Sequence, residues 1–142
     1  MFLGQYEHRI DPRGRVAIPA KFREELKQGL VLSQGFDPCI RVYPLQAWQE
    51  RADDLTAPLI SKESQRRISR YIFSSAFIDE PDRLGRVLLP APLRQYAGIK
   101  DVAVIIGSNA CVEIWSKENW DAEKSLMDDE AQGIAERWEP RE

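Results

Sequence analysis

Asp11-Pro-Arg-Gly-Arg-Val-Ala-Ile-Pro-Ala-Lys-Phe-Arg23 and, 71 residues on, Asp82-Arg-Leu-Gly-Arg-Val-Leu-Leu-Pro-Ala-Pro-Leu-Arg94 are two versions of one phrase. Seven of the thirteen positions are identical: Asp11/Asp82, Gly14/Gly85, Arg15/Arg86, Val16/Val87, Pro19/Pro90, Ala20/Ala91 and Arg23/Arg94. The echo continues at an offset of 72, where Gly35, Cys39 and Trp48 meet Gly107, Cys111 and Trp120, and Ile40, Val42 and Tyr43 meet Val112, Ile114 and Trp115. A repeat decides architecture before any local reading does. Two copies fall short of a solenoid and imply one pseudo-symmetric body, or two like lobes, that presents the same surface twice. Each copy spans roughly 45 residues, marginal for independent folding, so the copies are expected to lean on each other.

Asp11-Pro-Arg-Gly14 has the composition of a type I turn, and Asp82-Arg-Leu-Gly85 keeps its first and last residues. Strand-like residues flank both turns, Tyr6–Ile10 and Val16–Ile18 in the first copy, Phe77–Ile78 and Val87–Leu89 in the second, which predicts a hairpin in each. Pro19 and Pro90 then open short helices, with Phe22 and Leu26 on one face of the first and with Gly29 and Gly98 as stops. A second pair of strands follows, Leu30–Ser33 with Cys39–Tyr43 and Val102–Ile106 with Cys111–Trp115. In them Ile40/Val42 and Val112/Ile114 share a face by the period of two. Each copy closes on a helix, the first carrying Leu45, Trp48, Ala52 and Leu55, the second capped by Ser116. Between copies stand a break at Thr56-Ala-Pro58 and a helix from about Ser61 to Ser75. Arg66, Arg67 and Arg70 lie on one side of that helix and Ile68 and Ile72 on the other. The tail after about Asp128 is expected to fray, with Trp138 as its apolar anchor.

The chain is 142 residues long, 43% hydrophobic and 30% charged, the composition of one globular unit. No apolar run approaches the ~20 residues that span a bilayer. The first residues lack the basic and apolar regions of a signal peptide, which points to a cytoplasmic protein. Residues 117–142 carry nine acidic and four basic side chains, −5, leaving +2 on the rest of a chain whose net charge is −3. The body is thus near neutral, and a polyanion would be held through local basic clusters, multiplied by oligomerisation. Cys39 and Cys111 read as buried, inert thiols, because one histidine gives no zinc set and a cytoplasmic setting disfavours a disulfide.

The doubled Asp-x-x-Gly-Arg-Val followed by Ile/Leu-Pro-Ala-x-Φ-Arg (Φ apolar), with Tyr43-Pro-Leu-x-x-Trp48 and the Met1-Phe start, resembles the MraZ family of bacterial transcriptional regulators. The halves of that family resemble the AbrB/SpoVT type of DNA-binding domain. The likeness covers nearly the whole chain. It implies an α+β fold, a pseudo-two-fold swapped-hairpin β-barrel built from two repeats with flanking helices. Its parts would be residues 5–48, residues 76–120 and an acidic helix or tail over 121–142. It further implies a ring of identical subunits, associated with the nucleoid, that binds short repeated boxes of double-stranded DNA and regulates the division and cell-wall gene cluster. Arg15 and Arg86 match the motif region linked to DNA contact. The two turns depart from each other at Pro12/Arg83 and Arg13/Leu84.

Arginine suits this role, since its planar fork donates two parallel hydrogen bonds to guanine O6 and N7 or to phosphate oxygens, and a two-stranded ribbon fits the major groove. Arg15 and Arg86, then Arg13 and Arg83, are the candidate DNA contacts. The competing reading is an Asp11–Arg15 or Asp82–Arg86 pair that only braces its turn, worth about 0–1 kcal/mol when exposed. Arg23 and Arg94 read as structural, pairing with a carboxylate or a helix end. Arg66, Arg67 and Arg70 read as a solvated face, and Trp48 and Trp120 as core or subunit-contact residues. No Gly-x-Ser-x-Gly, phosphate-binding Gly-Lys-Ser/Thr loop or His-Glu-x-x-His is present, so no enzyme activity, catalytic residue, metal, cofactor or small-molecule substrate is expected. His8, the one histidine, reads as a strand or surface residue. AbrB-like domains also occur in antitoxins, which leaves a protein-interaction role for the acidic tail as a further class.

Overall fold

The computed structural model of the chain describes residues 1–56 and 61–138. The Ala57-Pro58 part of the expected break and the side chain of Leu55 lie outside what is described. The first copy contains β1 (Gln5–Arg9), β2 (Arg15–Ala17), α1 (Ala20–Leu26), β3 (Leu30–Gln34), β4 (Cys39–Pro44) and α2 (Leu45–Thr56). α3 (Lys62–Ser74) leads into the second copy. That copy contains β5 (Phe77–Asp79), β6 (Arg86–Leu88), α4 (Ala91–Ala97), β7 (Val102–Ser108), β8 (Cys111–Ser116) and α5 (Lys117–Arg137). Among the described residues this is a mixed α+β fold of eight strands and five helices, and no helix is long and apolar enough to cross a membrane.

The strands form one six-stranded sheet in the order β1-β7-β8-β4-β3-β5 and a two-stranded ribbon of β2 and β6, every named pair antiparallel. Exchanging each strand for its repeat equivalent turns the six-strand order into its own reverse, which is the signature of a pseudo-two-fold between β4 and β8. The hairpin expected around each turn is not formed as a pair of neighbours. β1 pairs with β7, β5 with β3, and β2 with β6, so both strands flanking a turn find their partners in the other copy. The reason is geometric. The Asp11 N–H bonds the Arg15 carbonyl at 2.9 Å and closes the turn, and beyond that bond the two strands diverge.

Period-two alternation separates two packed faces at the sheet centre. Ile40, Val42, Val112 and Ile114 are all fully buried and join Phe2, Val16, Phe22, Val87, Leu89 and Leu93 in one core drawn from both copies. Burial of each such side chain contributes about 1.5–3 kcal/mol. On the reverse face Cys39 packs with Val104, Trp115 and Trp120 in a second cluster. Both thiols are buried and unbridged, and burial pushes the Cys39 thiol far above the ordinary range and raises that of Cys111, which disfavours the reactive thiolate at both. One charged pair crosses the two central strands, Arg41 opposite Glu113, at 3.6 Å.

The helix boundaries follow local chemistry with small departures. Ser61 and Ser116 cap α3 and α5, each hydroxyl accepting a backbone N–H three residues on at 3.1 Å. Pro19 and Pro90 stand one position earlier than expected, at the N-cap, and Pro92 occupies the first turn of α4. Gly98 is the left-handed C-cap of α4, whereas α1 ends on Lys27 and Gly29 serves the turn into β3. The acidic tail is helical through Arg137, contrary to the fraying expected after Asp128. Trp138 is 70% exposed, so it is not the buried anchor expected of it.

Because the core and the sheet draw on both copies, unfolding is expected to be one cooperative transition. Urea titrations followed by far-UV circular dichroism and by tryptophan fluorescence should coincide. Ile114→Ala should lower stability by about 2–5 kcal/mol in both signals together. Two separable transitions would contradict the interlocked core.

Candidate nucleic-acid interface

The doubled turn is built by an aspartate that satisfies the backbone around it. Asp11 Oδ1 accepts the N–H groups of Arg13 at 2.9 Å and Arg15 at 2.8 Å, while its Oδ2 accepts the Arg15 Nε–H at 2.7 Å. Asp82 repeats the arrangement with Leu84 N–H, Arg86 N–H and Arg86 Nε–H, each at 2.9 Å. In both turns the glycine N–H bonds back to the aspartate carbonyl at 2.9 Å. The Arg15 backbone N–H, followed by its guanidinium and the Arg13 N–H, holds the Asp11 carboxyl below the ordinary value of 3.8. The Arg86 N–H and guanidinium and the Leu84 N–H do the same for Asp82.

The two turns lie side by side. β2 and β6 pair with Val16 opposite Val87, Arg15 opposite Leu88 and Ala17 opposite Arg86. Two further bonds extend the ribbon, Ile18 N–H to the Gly85 carbonyl at 2.8 Å and Leu89 N–H to the Gly14 carbonyl at 2.9 Å. The buried side chains of Val16 and Val87 fix the ribbon to the core. Arg15 and Arg86 stand at the ribbon's outer corners with side chains 27% and 31% exposed. Arg86 Nη1 comes to 4.0 Å from Asp11 Oδ2, so the turns also meet electrostatically.

All four sequence-chosen arginines therefore belong to one edge of the molecule. The bracing pairs that competed with the DNA reading are present, and they leave the chemistry of both guanidinium groups open. Each aspartate takes the Nε–H, and neither terminal nitrogen of Arg15 has a hydrogen-bond partner among the described residues. Arg13 and Arg83 are exposed at the turn tips, and the Arg13 backbone N–H is held by Asp11 Oδ1. Leu84, at the place of Arg13, is 65% exposed. The edge can thus donate paired N–H groups to a planar or tetrahedral anionic acceptor. Among the described residues no three His, Cys, Asp or Glu side chains converge on a metal site.

The structural role read for Arg23 and Arg94 is realised through different partners from those expected. Arg23 Nε donates to the Ile18 carbonyl and Arg94 Nε to the Leu89 carbonyl, both at 2.9 Å. Each guanidinium then lies against the glycine of the opposite turn. A Cβ on Gly85 would come within 2.5 Å of Arg23 Nε, and one on Gly14 within 3.0 Å of Arg94 Cζ. Both glycines are left-handed, with φ of 85° at Gly14 and 76° at Gly85. The signal was in the sequence, where arginine and glycine repeat together, but the reach from one copy to the other was not. Of the remaining candidates, Arg66, Arg67 and Arg70 are exposed on α3, Trp120 is buried, and His8 sits half-buried in β1 opposite Ala103.

Comparison with known proteins finds the same doubling of the chain. A family model described as "MraZ protein, putative antitoxin-like" matches the chain twice, over residues 1–71 and 72–136. The protein named Transcriptional regulator MraZ of Thermomicrobium roseum is 44% identical over 137 residues, covering 96% of each chain. Those of the same name from Herpetosiphon aurantiacus and Moorella thermoacetica are 46% identical over 136 residues and 41% identical over 137, covering 96% of this chain and 95% and 96% of theirs.

Two outcomes follow from the turn geometry. Both aspartate pKa values are depressed in the folded state, so the stability drawn from the ionised carboxylates is complete above 3.8 and is lost as pH falls through the lower folded value. The melting temperature of the wild type should exceed that of Asp11→Asn/Asp82→Asn at neutral pH, and the gap should close in strong acid. Gly85→Ala should cost at least about 1 kcal/mol from the left-handed backbone alone, measured as a lower urea midpoint.

Proposed function

The chain belongs to the MraZ family, and on that premise we propose that it is a sequence-specific DNA-binding transcriptional regulator whose paired turns read double-stranded DNA. The observation that carries this reading is the juxtaposition, through β2 and β6, of two aspartate-braced arginine turns on one exposed edge. A two-stranded ribbon is of a size to enter the major groove, and terminal guanidinium nitrogens suit guanine O6 and N7 or phosphate oxygens. The brace adds preorganisation. An arginine already held by its Nε–H loses less of the roughly 2 kcal/mol of rotamer freedom that a mobile one gives up on binding. Arg15 and Arg86 are the leading contacts, with Arg13 and Arg83 beside them. The exposed Leu84 gives the second turn an apolar tip that suits a thymine methyl group better than a phosphate.

Strand exchange between copies fits the swapped-hairpin barrel of AbrB-like proteins, with repeats over 5–48 and 76–120 followed by the acidic segment 121–142. Identical subunits assemble into a ring that holds several short DNA boxes at once, which raises avidity without a new contact and offsets a body of low net charge. The regulator acts in the cytoplasm on the nucleoid, at boxes upstream of the division and cell-wall gene cluster, without cofactor, catalysis or small-molecule substrate.

Gel-shift titration on DNA from upstream of the chain's own gene tests the reading. Arg15→Ala or Arg86→Ala should abolish specific binding while leaving fold and assembly intact. Each contact is worth about 1–3 kcal/mol, and the loss recurs in every subunit. Affinity should fall steeply with salt and should be far higher for two or more boxes than for one. Wild-type binding by both variants would rule out these residues, and equal affinity for one box and several would remove the avidity argument.

A further inference from the structure

α5 docks on the body through Trp120, whose ring meets Trp115 edge-on at 5.5 Å. The same helix face then runs on past the body. Met127, Ile134 and Trp138 lie seven, fourteen and eighteen residues beyond Trp120, within about 40° of it around a 3.6-residue turn. With Ala131 and Ala135 they line an apolar surface groove. Ile134 is 54% exposed and Met127 44%, so a helix face of core character meets solvent. Its rim is acidic. Residues 123–137 hold five carboxylates against two bases, with Glu123, Asp128 and Glu130 beside the stripe.

The opposite character is found on α3. Lys62, Arg66 and Arg70 recur every four residues and line an open groove with Gln65 and Ser69. None of the three bases has an ion-pair partner among the described residues; Arg67, on another side, pairs with Glu63 at 2.8 Å. α3 carries four bases and one acid, +3, against −3 on residues 123–137 of α5. Arginine and lysine stems also offer apolar surface between their charged ends. The repeat makes the same point. α2 and α5 are equivalent helices, and α2 is covered by α3, with Trp48 meeting Phe73 at 6.0 Å. Among the described residues no helix covers α5.

We propose that the exposed face of α5 docks on the Lys62/Arg66/Arg70 face of α3 in a second copy of the chain. Two copies of α5 would bring like charges together, whereas α5 against α3 pairs opposite ones. The joint is heterologous, one face on each subunit, and such joints close into rings when the rotation permits. It deepens the ring assembly proposed above and rests on it, and it places α3 in the joint rather than on DNA.

Sedimentation equilibrium of the full chain tests the joint with two variants at exposed sites, Ile134→Asp on α5 and Arg66→Glu/Arg70→Glu on α3, each checked for a wild-type circular dichroism spectrum. The wild type should be a multimer, and each variant alone should sediment as the 16.3 kDa monomer. An equimolar mixture should give a 1:1 dimer and nothing larger, because each chain retains the face the other lacks. Reversing both rims, with Asp128→Arg/Glu130→Arg added to the α3 variant, should regain the multimer. Dimers of the α3 variant alone would mean that α5 pairs with itself and would overturn the joint. A multimeric wild type whose variants all keep its mass would overturn the joint and leave the ring standing. A monomeric wild type would remove both.

Discussion

Strand pairing between the two copies is the constraint on which the remaining structure depends. β1, β2, β5 and β6 take all their named ladder partners from the other half of the chain. A copy standing alone would expose a row of backbone donors and acceptors on every one of these segments, and buried backbone groups are almost always paired. Nor would it own a core, since Ile40 and Val42 of one copy share theirs with Val112 and Ile114 of the other. At roughly 45 residues, a copy falls near the size at which folding needs outside help, and here the help is its own duplicate. The sheet centre packed on both faces is a consequence of the same exchange.

The ribbon of β2 and β6 carries this constraint to the surface. It is only three residues long on each side, and yet it sets two turns in register because valines on its inner face sit in the core. The arginine–glycine contacts then cross it. Arg23 of the first copy rests on Gly85 of the second turn and Arg94 of the second copy on Gly14 of the first. Neither turn is shaped by its own copy alone. Four arginines lie at one edge, two braced in place by aspartates and two projecting from the tips. The aspartates set rotamers and lower net charge, while the terminal nitrogens remain available to an acceptor.

Much of this was legible in the sequence because it is local. The Asp-x-x-Gly turn, the serine caps of α3 and α5, the period-two faces of β4 and β8, and buried cysteines at equivalent positions all follow from short-range chemistry and were read from single windows. The repeat supplied the pseudo-symmetry. Pairing partners were not legible from the residues themselves, because a tight turn between two strand-like stretches looks the same whether its strands pair with each other or diverge. Only the resemblance to a known family pointed to exchange. Arg23 and Arg94 were recognised as structural but assigned a carboxylate or a helix end, since contact with a glycine 62 residues away in one case and 80 in the other leaves no mark in local spacing. The end of α5 was read as frayed on its acidity, although its apolar stripe keeps the helical period through Trp138.

The departures from symmetry matter as much as the symmetry. A body with an exact two-fold would offer identical faces, and identical faces favour isologous pairs that close at two subunits. This chain breaks its own two-fold in two places. α3 stands between the copies and covers α2, whereas among the described residues no helix covers α5, and α5 is about two and a half turns longer than its equivalent α2. The result is one basic face and one acidic, apolar face on the same subunit, the polarity that a head-to-tail assembly requires. Meanwhile the turn edge, where likeness serves two neighbouring contacts, stays nearly symmetric and differs only at Pro12/Arg83 and Arg13/Leu84. Duplication thus builds the edge, and the inequality of the halves supplies the direction that the proposed head-to-tail joint needs.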